Sequence, residues 1–138
     1  MNAVRQSGPF DCGPAALAHC LRRLGIDAPY PDARGRIRPS VRGCRLDELA
    51  DEALRWGWEA HARRAPSWAV RRLRAPSILH VDGDHFVVLE AREGAGEGQT
   101  WRLHDPARGA QRWSTTELQR RWSGWWLEFM GGEPGPEW

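Results

Sequence analysis

The sequence predicts an α+β fold, with N-terminal helices packed on a C-terminal antiparallel sheet. Apolar residues recur at helical spacing only in the first half of the chain, and strand-like segments joined by short turns fill the second half. Helices that precede strands, without alternation, distinguish this class from a parallel α/β fold. The length of 138 residues corresponds to one domain. We assign it to residues 1–130 and expect the Gly/Pro-rich residues 131–138 to form a flexible tail.

A first helix is predicted to begin directly after Asp11, a residue type that caps helices well. Pro14 falls in the first turn, where its missing N–H costs nothing, and Gly25 is placed to end the helix. His19 lies on the polar side, and we expect it to face solvent. The apolar stripe consists of Leu17, Cys20, Leu21 and Leu24.

Two further helices are predicted before the sheet begins. The first runs from Arg45 to Trp56, and Gly57 ends it. Its apolar stripe is Leu46, Leu49, Ala50 and Ala53. A short helix starts at Ser67 and carries Val70 and Leu73 on its apolar side. The Pro/Arg/Gly-rich stretch 27–42 between the first two helices is predicted to be irregular.

Strand-like segments with turn signals occupy the rest of the chain. The pair Asp82-Gly83 separates the first two segments and is a strong signal for a tight hairpin. The run Ser114-Thr115-Thr116-Glu117 is a capping box and predicts a short helix before the last strand. The predicted strands are 77–81, 85–91, 99–104, 111–113 and 125–129.

Composition excludes several classes of protein. The longest apolar runs, Ala15–Ala18 and Phe86–Leu89, have four residues, too few for a membrane-spanning helix or a signal peptide. All 20 basic residues are Arg and face 18 acidic ones without a separate basic block, which disfavours nucleic-acid binding. Three cysteines without an export signal indicate reduced thiols and a cytoplasmic protein. No metal-binding spacing occurs, so neither a metal nor a cofactor is predicted.

Cys12 is the cysteine whose local sequence favours reactivity. It follows the predicted helix cap, where the positive end of the helix dipole stabilises a thiolate, and Gly13 leaves room for a substrate. Cys20 lies on the apolar stripe and is predicted to be core, whereas Cys44 has no such local support. The alternative for Cys12 is a small buried hydrophobic residue, the usual state of a free cysteine.

A nucleophilic cysteine needs a base and a group that orients the base. His85 is the first residue of the most apolar predicted strand, and Asp105 ends the next one. Antiparallel neighbours can place these side chains together, and the carboxylate would then fix the imidazole tautomer. The alternatives are a core histidine bonded to backbone and an ordinary turn residue before Pro106.

The ordered motifs resemble one known family. They are Gln6, the run Asp11–Leu17 (DCGPAAL), the run His85–Leu89 (HFVVL) and the run Asp105–Gly109 (DPARG). The combination is similar to the bacteriocin-processing peptidases, papain-like cysteine peptidase domains that remove double-glycine leader peptides. These domains usually form the N-terminus of peptidase-containing ABC transporters. The resemblance implies a papain-like fold for this chain.

The resemblance also implies a role for each matched residue. Cys12 matches the nucleophile, His85 the general base and acid, Asp105 the residue that orients His85, and Gln6 the oxyanion-hole donor. It implies a peptide substrate with a double-glycine leader, an ABC transporter as partner and a place at the cytosolic face of the membrane. Trp56, Trp58 and Trp68 either line a leader groove or are packing or surface residues.

Two other functions stay open at this point. One is a docking module that holds export substrates without cleaving them, although Cys12 is present here. The other is an amidase or acyl transferase that uses the same Cys-His-Asp set, because a triad does not determine the acceptor. In the tail, Gly131-Gly132 raises self-cleavage as an alternative to a plain flexible segment. The Met start favours a stand-alone peptidase over a domain of a longer protein.

Overall fold

A six-stranded antiparallel sheet organises the computed structural model, which describes residues 12–26 and 46–130. The strands lie in the order β1-β6-β2-β3-β4-β5, so the last strand of the chain pairs between the first two. The strands are β1 Ala60–Arg64, β2 Ser77–Val81, β3 His85–Glu93, β4 Thr100–Asp105, β5 Gly109–Ser114 and β6 Trp122–Phe129.

Two helices precede the sheet, and three shorter helical segments lie between its strands. They are α1 Cys12–Arg23, α2 Leu46–Arg55, a 3₁₀ helix Ser67–Arg72, a 3₁₀ turn Gly96–Gly98 and α3 Thr115–Arg121. The helix α1 ends as predicted at Gly25, whose φ of +91° is the left-handed conformation that glycine adopts without strain. The N–H of Ile26 then donates to the carbonyl of Leu21, the closing bond of a Schellman motif.

The two faces of the sheet carry separate hydrophobic clusters. Alternation along β3 sends Phe86 and Val88 to the face covered by α1 and α2, and Val87 and Leu89 to the opposite face. That opposite face is covered by the 3₁₀ helix and α3, through residues such as Leu118. The sheet is therefore a central layer that fixes where α1 lies relative to the ends of β3 and β4.

The predicted α+β class is confirmed, and the predicted elements follow one another in the expected order. Strand β2 and the start of β3 lie where the sequence predicts them, and the hydroxyl of Ser114 accepts the N–H of Glu117 at 3.1 Å, as the capping box requires. Strand β1 was not predicted from the sequence. This strand is an exposed edge with the sequence AHARR, which lacks the alternation of a half-buried strand.

Some predictions fall on residues outside 12–26 and 46–130. These are the Asp11 cap, the irregular stretch 27–42 and the tail 131–138. The division into a domain of residues 1–130 and a tail therefore stays a prediction. Within the described part of the chain, no helix has the length and apolar character needed to cross a bilayer.

Candidate active site

His85 and Asp105 meet at one end of the sheet. His85 begins β3 and Asp105 ends β4, and the antiparallel pairing of Val88 with His104 sets these two strand ends side by side. His85 Nε2 lies 2.8 Å from Asp105 Oδ1. The side chain of Asp105 is 1% exposed and that of His85 is 20% exposed. The carboxylate is thus sealed, while the imidazole reaches the surface.

The surroundings of Asp105 favour its charged form. Burial alone would raise the pKa of this carboxyl group, but the hydrogen bonds from His85 and from the backbone N–H of Ala107 outweigh it, and the pKa is lowered. The Ala107 N–H donates to Oδ1 at 2.8 Å. The guanidinium of Arg108 lies 3.9 Å from Oδ2 and adds a weaker attraction. Asp105 is therefore a carboxylate at neutral pH.

This arrangement determines which nitrogen of His85 can act as a base. A carboxylate only accepts hydrogen bonds, so Nε2 carries the proton that it donates to Asp105. The other ring nitrogen, Nδ1, is then the basic one in the neutral tautomer. A proton taken up at Nδ1 creates an imidazolium that the adjacent carboxylate stabilises. The pair can thus serve as a general base followed by a general acid.

The structure brings together two of the four predicted site residues, His85 and Asp105. Cys12 is the first residue of α1, as the sequence predicts, but its side chain is not among those that the structure describes. Gln6 lies outside the described residues altogether. Gly13 and Pro14, which follow Cys12, are buried, so the first turn of α1 is packed into the fold.

The structure contradicts the expectation that His19 faces solvent. His19 is 5% exposed, and its Nε2–H donates to Oε2 of Glu90 at 2.7 Å. Its ring stacks on His104 with 3.8 Å between ring centroids and 14° between planes. The sequence contains one signal for this contact. Glu90 lies on the same face of β3 as Phe86 and Val88, and a carboxylate on a covered face needs a partner.

Among the residues that the structure describes, Cys20, His61 and His80 form no second centre of this kind. Cys20 is completely buried, and burial raises the pKa of its thiol far above the ordinary value, so it remains a protonated core residue as predicted. Cys44 lies outside the described residues. His61 is exposed beside Glu59, and His80 Nδ1 is hydrogen-bonded to the Ser123 hydroxyl at 2.7 Å. The residues that the structure describes include no cluster of three metal-ligating side chains.

The three tryptophans considered for a leader groove have different environments. Trp56 donates its indole N–H to Glu52 at 3.0 Å, and both Trp56 and Trp58 pack against the cluster beneath α1 and α2. Trp68, on the 3₁₀ helix, is 70% exposed. Trp56 and Trp58 therefore have packing roles, and Trp68 is available for contact with another molecule.

Comparison with curated proteins gives relatives of similar sequence. The colicin V secretion/processing ATP-binding protein CvaB of Escherichia coli is 32% identical over 129 residues, which cover 94% of this chain and 18% of the relative. The probable functional amyloid protease FapD of Pseudomonas aeruginosa is 27% identical over 88% of this chain and 57% of its own length. The chain thus spans about a fifth of the length of CvaB, and rather more than half that of FapD.

Solved structures show the same fold. A double glycine motif protease from an AMS/PCAT transporter, crystallised with its leader peptide, has a TM-score of 0.83 and 26% identity, over 93% of this chain and 89% of that one. The peptidase domain of Streptococcus ComA has a TM-score of 0.77 and 22% identity, over 91% and 95%. These similarities confirm the papain-like fold. The Peptidase C39 family model matches residues 1–133, and the chain therefore belongs to this family of cysteine peptidases.

Proposed function

We propose that this chain cleaves the leader peptides of secreted peptides after a Gly-Gly motif, through Cys12, His85 and Asp105 with Gln6 as oxyanion donor. The observation that carries the proposal is the 2.8 Å bond between His85 and a buried carboxylate, in a chain of a cysteine peptidase family. Such a pair supplies the base that a cysteine nucleophile needs.

In the proposed reaction, His85 Nδ1 takes the proton of the Cys12 thiol. The thiolate attacks the carbonyl carbon of the peptide bond, and the tetrahedral intermediate collapses when the imidazolium gives its proton to the leaving amine. The leader is then held as a thioester. His85 removes a proton from water, the resulting hydroxide displaces the thiolate, and the leader leaves with a free carboxylate. Asp105 stabilises the imidazolium in both halves of the reaction.

The packing of α1 supports Cys12 as the nucleophile. Ala16 and Leu17, in the first turns after Cys12, belong to the same core cluster as Phe86 and Val88, which follow His85. His19, further along α1, contacts Glu90, further along β3. The helix α1 and the strand β3 therefore run alongside each other in the same direction. Cys12 is the first residue of α1, and His85 is the first residue of β3. The helix dipole adds a local attraction for the thiolate.

The role proposed for Gln6 follows from the charge that the reaction creates. Attack on the carbonyl produces an oxyanion, and the Gln6 side-chain amide together with the Cys12 backbone N–H would donate hydrogen bonds to it. One such donor typically lowers the barrier by about 3 kcal/mol. The preference for Gly-Gly has a steric reason, because a channel that admits only backbone rejects every side chain.

We also propose a transporter partner and a cytosolic place of action. The support is the similarity to CvaB, whose name describes an ATP-binding secretion and processing protein. ATP is used in the cytosol, where cysteines remain reduced. The length of 138 residues corresponds to one domain, so a transporter would be either a separate protein or the remainder of a longer chain.

The test is cleavage of synthetic double-glycine leader peptides, followed by mass spectrometry. We expect wild type and Cys20→Ala to cut after the second glycine and Cys12→Ala to release no product. Cys20 serves as the control because it is a buried thiol away from the proposed chemistry. Binding of several leaders without cleavage by wild type would contradict the proposal and indicate a docking module. Product masses that include an added amine would instead indicate an acyl transferase.

A further inference from the structure

We propose that His19, Glu90 and His104 form a helix–strand clamp, a positioning set that holds α1 in register with the strands that carry His85 and Asp105. The inference rests on the proposed function, because it assigns a purpose to the distance between Cys12 and His85. None of the three residues touches substrate in this proposal. Their effect on catalysis is exerted through the residues of the triad.

The clamp is a buried polar contact between a helix and two strands. His19 and His104 are 5% and 2% exposed. The His19 Nε2–H donates to Glu90 Oε2 at 2.7 Å, and the His19 ring lies flat on that of His104 with centroids 3.8 Å apart. The hydrogen bond fixes His19 against β3, and the stack fixes it against β4. Together they resist both sliding and rotation of α1.

Each element joined by the clamp supplies one member of the proposed triad. The helix α1 begins with Cys12, β3 begins with His85 and β4 ends with Asp105. Within β4, His104 directly precedes Asp105. A change in the stacking of His19 on His104 would therefore move the end of β4, where Asp105 orients His85. Seven residues separate Cys12 from His19, which is about 10 Å along a rigid helix.

Two guanidinium groups flank Glu90 and help to hold its side chain in place. Arg23 Nε on α1 lies 3.6 Å from Glu90 Oε2, and Arg102 Nε on β4 lies 4.0 Å from Oε1. Burial is the largest influence on His19 and lowers its pKa, with the neighbouring His104 and Arg23 acting in the same direction and Glu90 opposing them. His19 is thus a neutral donor that binds a carboxylate, and the clamp is intact at neutral pH.

Misplacement of a reacting group by about 1 Å can reduce a rate by about a hundredfold, so a small shift of α1 has a measurable effect. The thiolate of Cys12 is stabilised by the imidazolium of His85 only at short distance. Loosening the clamp should therefore raise the pH at which Cys12 becomes reactive. A residue needed only for folding would lower the melting temperature without moving this pH.

The experiment measures the rate of iodoacetamide alkylation at Cys12 against pH, with the site identified by peptide mapping. We compare wild type with His19→Leu, with His19→Phe, which keeps a ring stack, and with Glu90→Gln, which keeps a hydrogen-bond acceptor. The matched control is Leu118→Ala. It removes core contacts on the opposite face of the sheet and destabilises the fold without touching the clamp.

For His19→Leu we expect the alkylation midpoint to rise by about one pH unit. We also expect kcat for leader cleavage to fall about tenfold with KM unchanged. Glu90→Gln should keep most of the wild-type behaviour, and Leu118→Ala should keep the wild-type midpoint.

A His19→Leu midpoint equal to that of wild type would overturn the clamp while leaving the proposed function intact. His19→Phe keeps the ring stack but cannot donate to Glu90, so its midpoint should rise by less than that of His19→Leu. If His19→Leu does not fold, a His19→Phe midpoint equal to that of wild type overturns the clamp equally. Wild type with Cys12 no more reactive than a free thiol would overturn the proposed function, and the clamp with it.

Discussion

The ring of His85 is oriented by a hydrogen bond to Asp105, which is 2.8 Å long. The Asp105 carboxylate that accepts this bond is almost closed to solvent. Asp105→Asn removes the charge of this side chain and keeps its shape. It therefore tests the orientation of His85 separately from the packing of residue 105. An amide at this position can present its NH₂ group to Nε2 and so favour the tautomer with its proton on Nδ1. That tautomer cannot accept the proton of a thiol at Nδ1.

We therefore expect Asp105→Asn to reduce kcat for leader cleavage about a hundredfold, the usual size of a general acid–base contribution. Steady-state kinetics with a quenched leader peptide provide the measurement. Asp84→Asn is the matched control, because Asp84 is an exposed carboxylate one residue before His85 and makes no bond to it in the described structure. Equal activity of Asp105→Asn and Asp84→Asn would show that the charge of Asp105 is not needed to orient His85.

The His85–Asp105 pair could be predicted from sequence, whereas the sequence holds only an indirect signal for the burial of His19, the charge of Glu90 on a covered face of β3. The Asp82-Gly83 turn fixes where β3 begins, and Asp105-Pro106 fixes where β4 ends, so the pair follows from local signals. His19 shares its side of the helix with Arg22 and Arg23, and helical periodicity does not show which strand that side meets. Its partners, Glu90 and His104, are more than 70 residues away in the chain.

At the level of elements, the entry into β6 depends on a close approach of two backbones. Gly124 has a φ of +100°, and a Cβ built there would lie 2.6 Å from the carbonyl oxygen of Ala65. The carbonyl of Gly124 also accepts the N–H of Ala65 at 2.9 Å. This approach joins the end of β1 to β6, so the residue at position 124 controls whether the edge strand can pair.

Gly124→Ala should lower the free energy of unfolding by about 3 kcal/mol, since it adds left-handed strain to a clash with backbone. Urea unfolding followed by tryptophan fluorescence measures the change. Gly98→Ala is the control, because Gly98 has no positive φ and open space around its Cβ position. If the free energy of unfolding falls no further in Gly124→Ala than in Gly98→Ala, the β1–β6 contact does not depend on glycine at position 124.

The start of α3 provides a second prediction at this scale. The Ser114 hydroxyl accepts the Glu117 N–H, and its loss leaves a helix donor without a partner. We expect Ser114→Ala to cost about 1 kcal/mol in unfolding free energy, measured by thermal denaturation. Ser67→Ala is the comparison, because the 3₁₀ helix that begins there has no side-chain cap. Similar losses in both variants would argue against a capping role for Ser114.

Elements with turn signals and alternation could be predicted from sequence, and β1 could not. Strands β2 and β3 carry apolar residues on both faces, and each face packs into one of the two hydrophobic clusters. Strand β1 is an edge with four of its five residues exposed, so its position depends on pairing with β6 and not on its own composition. Its register with β6, from Ala60 opposite Phe129 to Arg64 opposite Trp125, is a property of tertiary structure.

For the molecule as a whole, a buried histidine, His19, and a half-buried one, His80, make stability depend on pH. Burial is the largest cause that lowers the pKa of both His19 and His80 below the ordinary value of 6.5. Below about pH 6.5 the unfolded chain binds protons at these histidines before the folded protein does. The free energy of unfolding therefore falls as the pH drops through this range toward the lowered pKa values.

We expect the urea midpoint of wild type to be lower at pH 5.5 than at pH 7.5, and this difference to shrink in His19→Phe, which cannot titrate. The exposed His61, changed to Gln, should leave the difference unchanged and serves as the control. A pH dependence that is identical in wild type and His19→Phe would show that other groups are responsible.

The position of β6 inside the sheet has a consequence for synthesis on the ribosome. Strand β6 lies between β1 and β2, and without it the sheet is divided into one isolated strand and a four-stranded remainder. Residues 122–129 must therefore leave the exit tunnel before the nascent polypeptide can complete its hydrogen-bonded frame. The sheet of a partly translated chain therefore stays divided until residues 122–129 have been made.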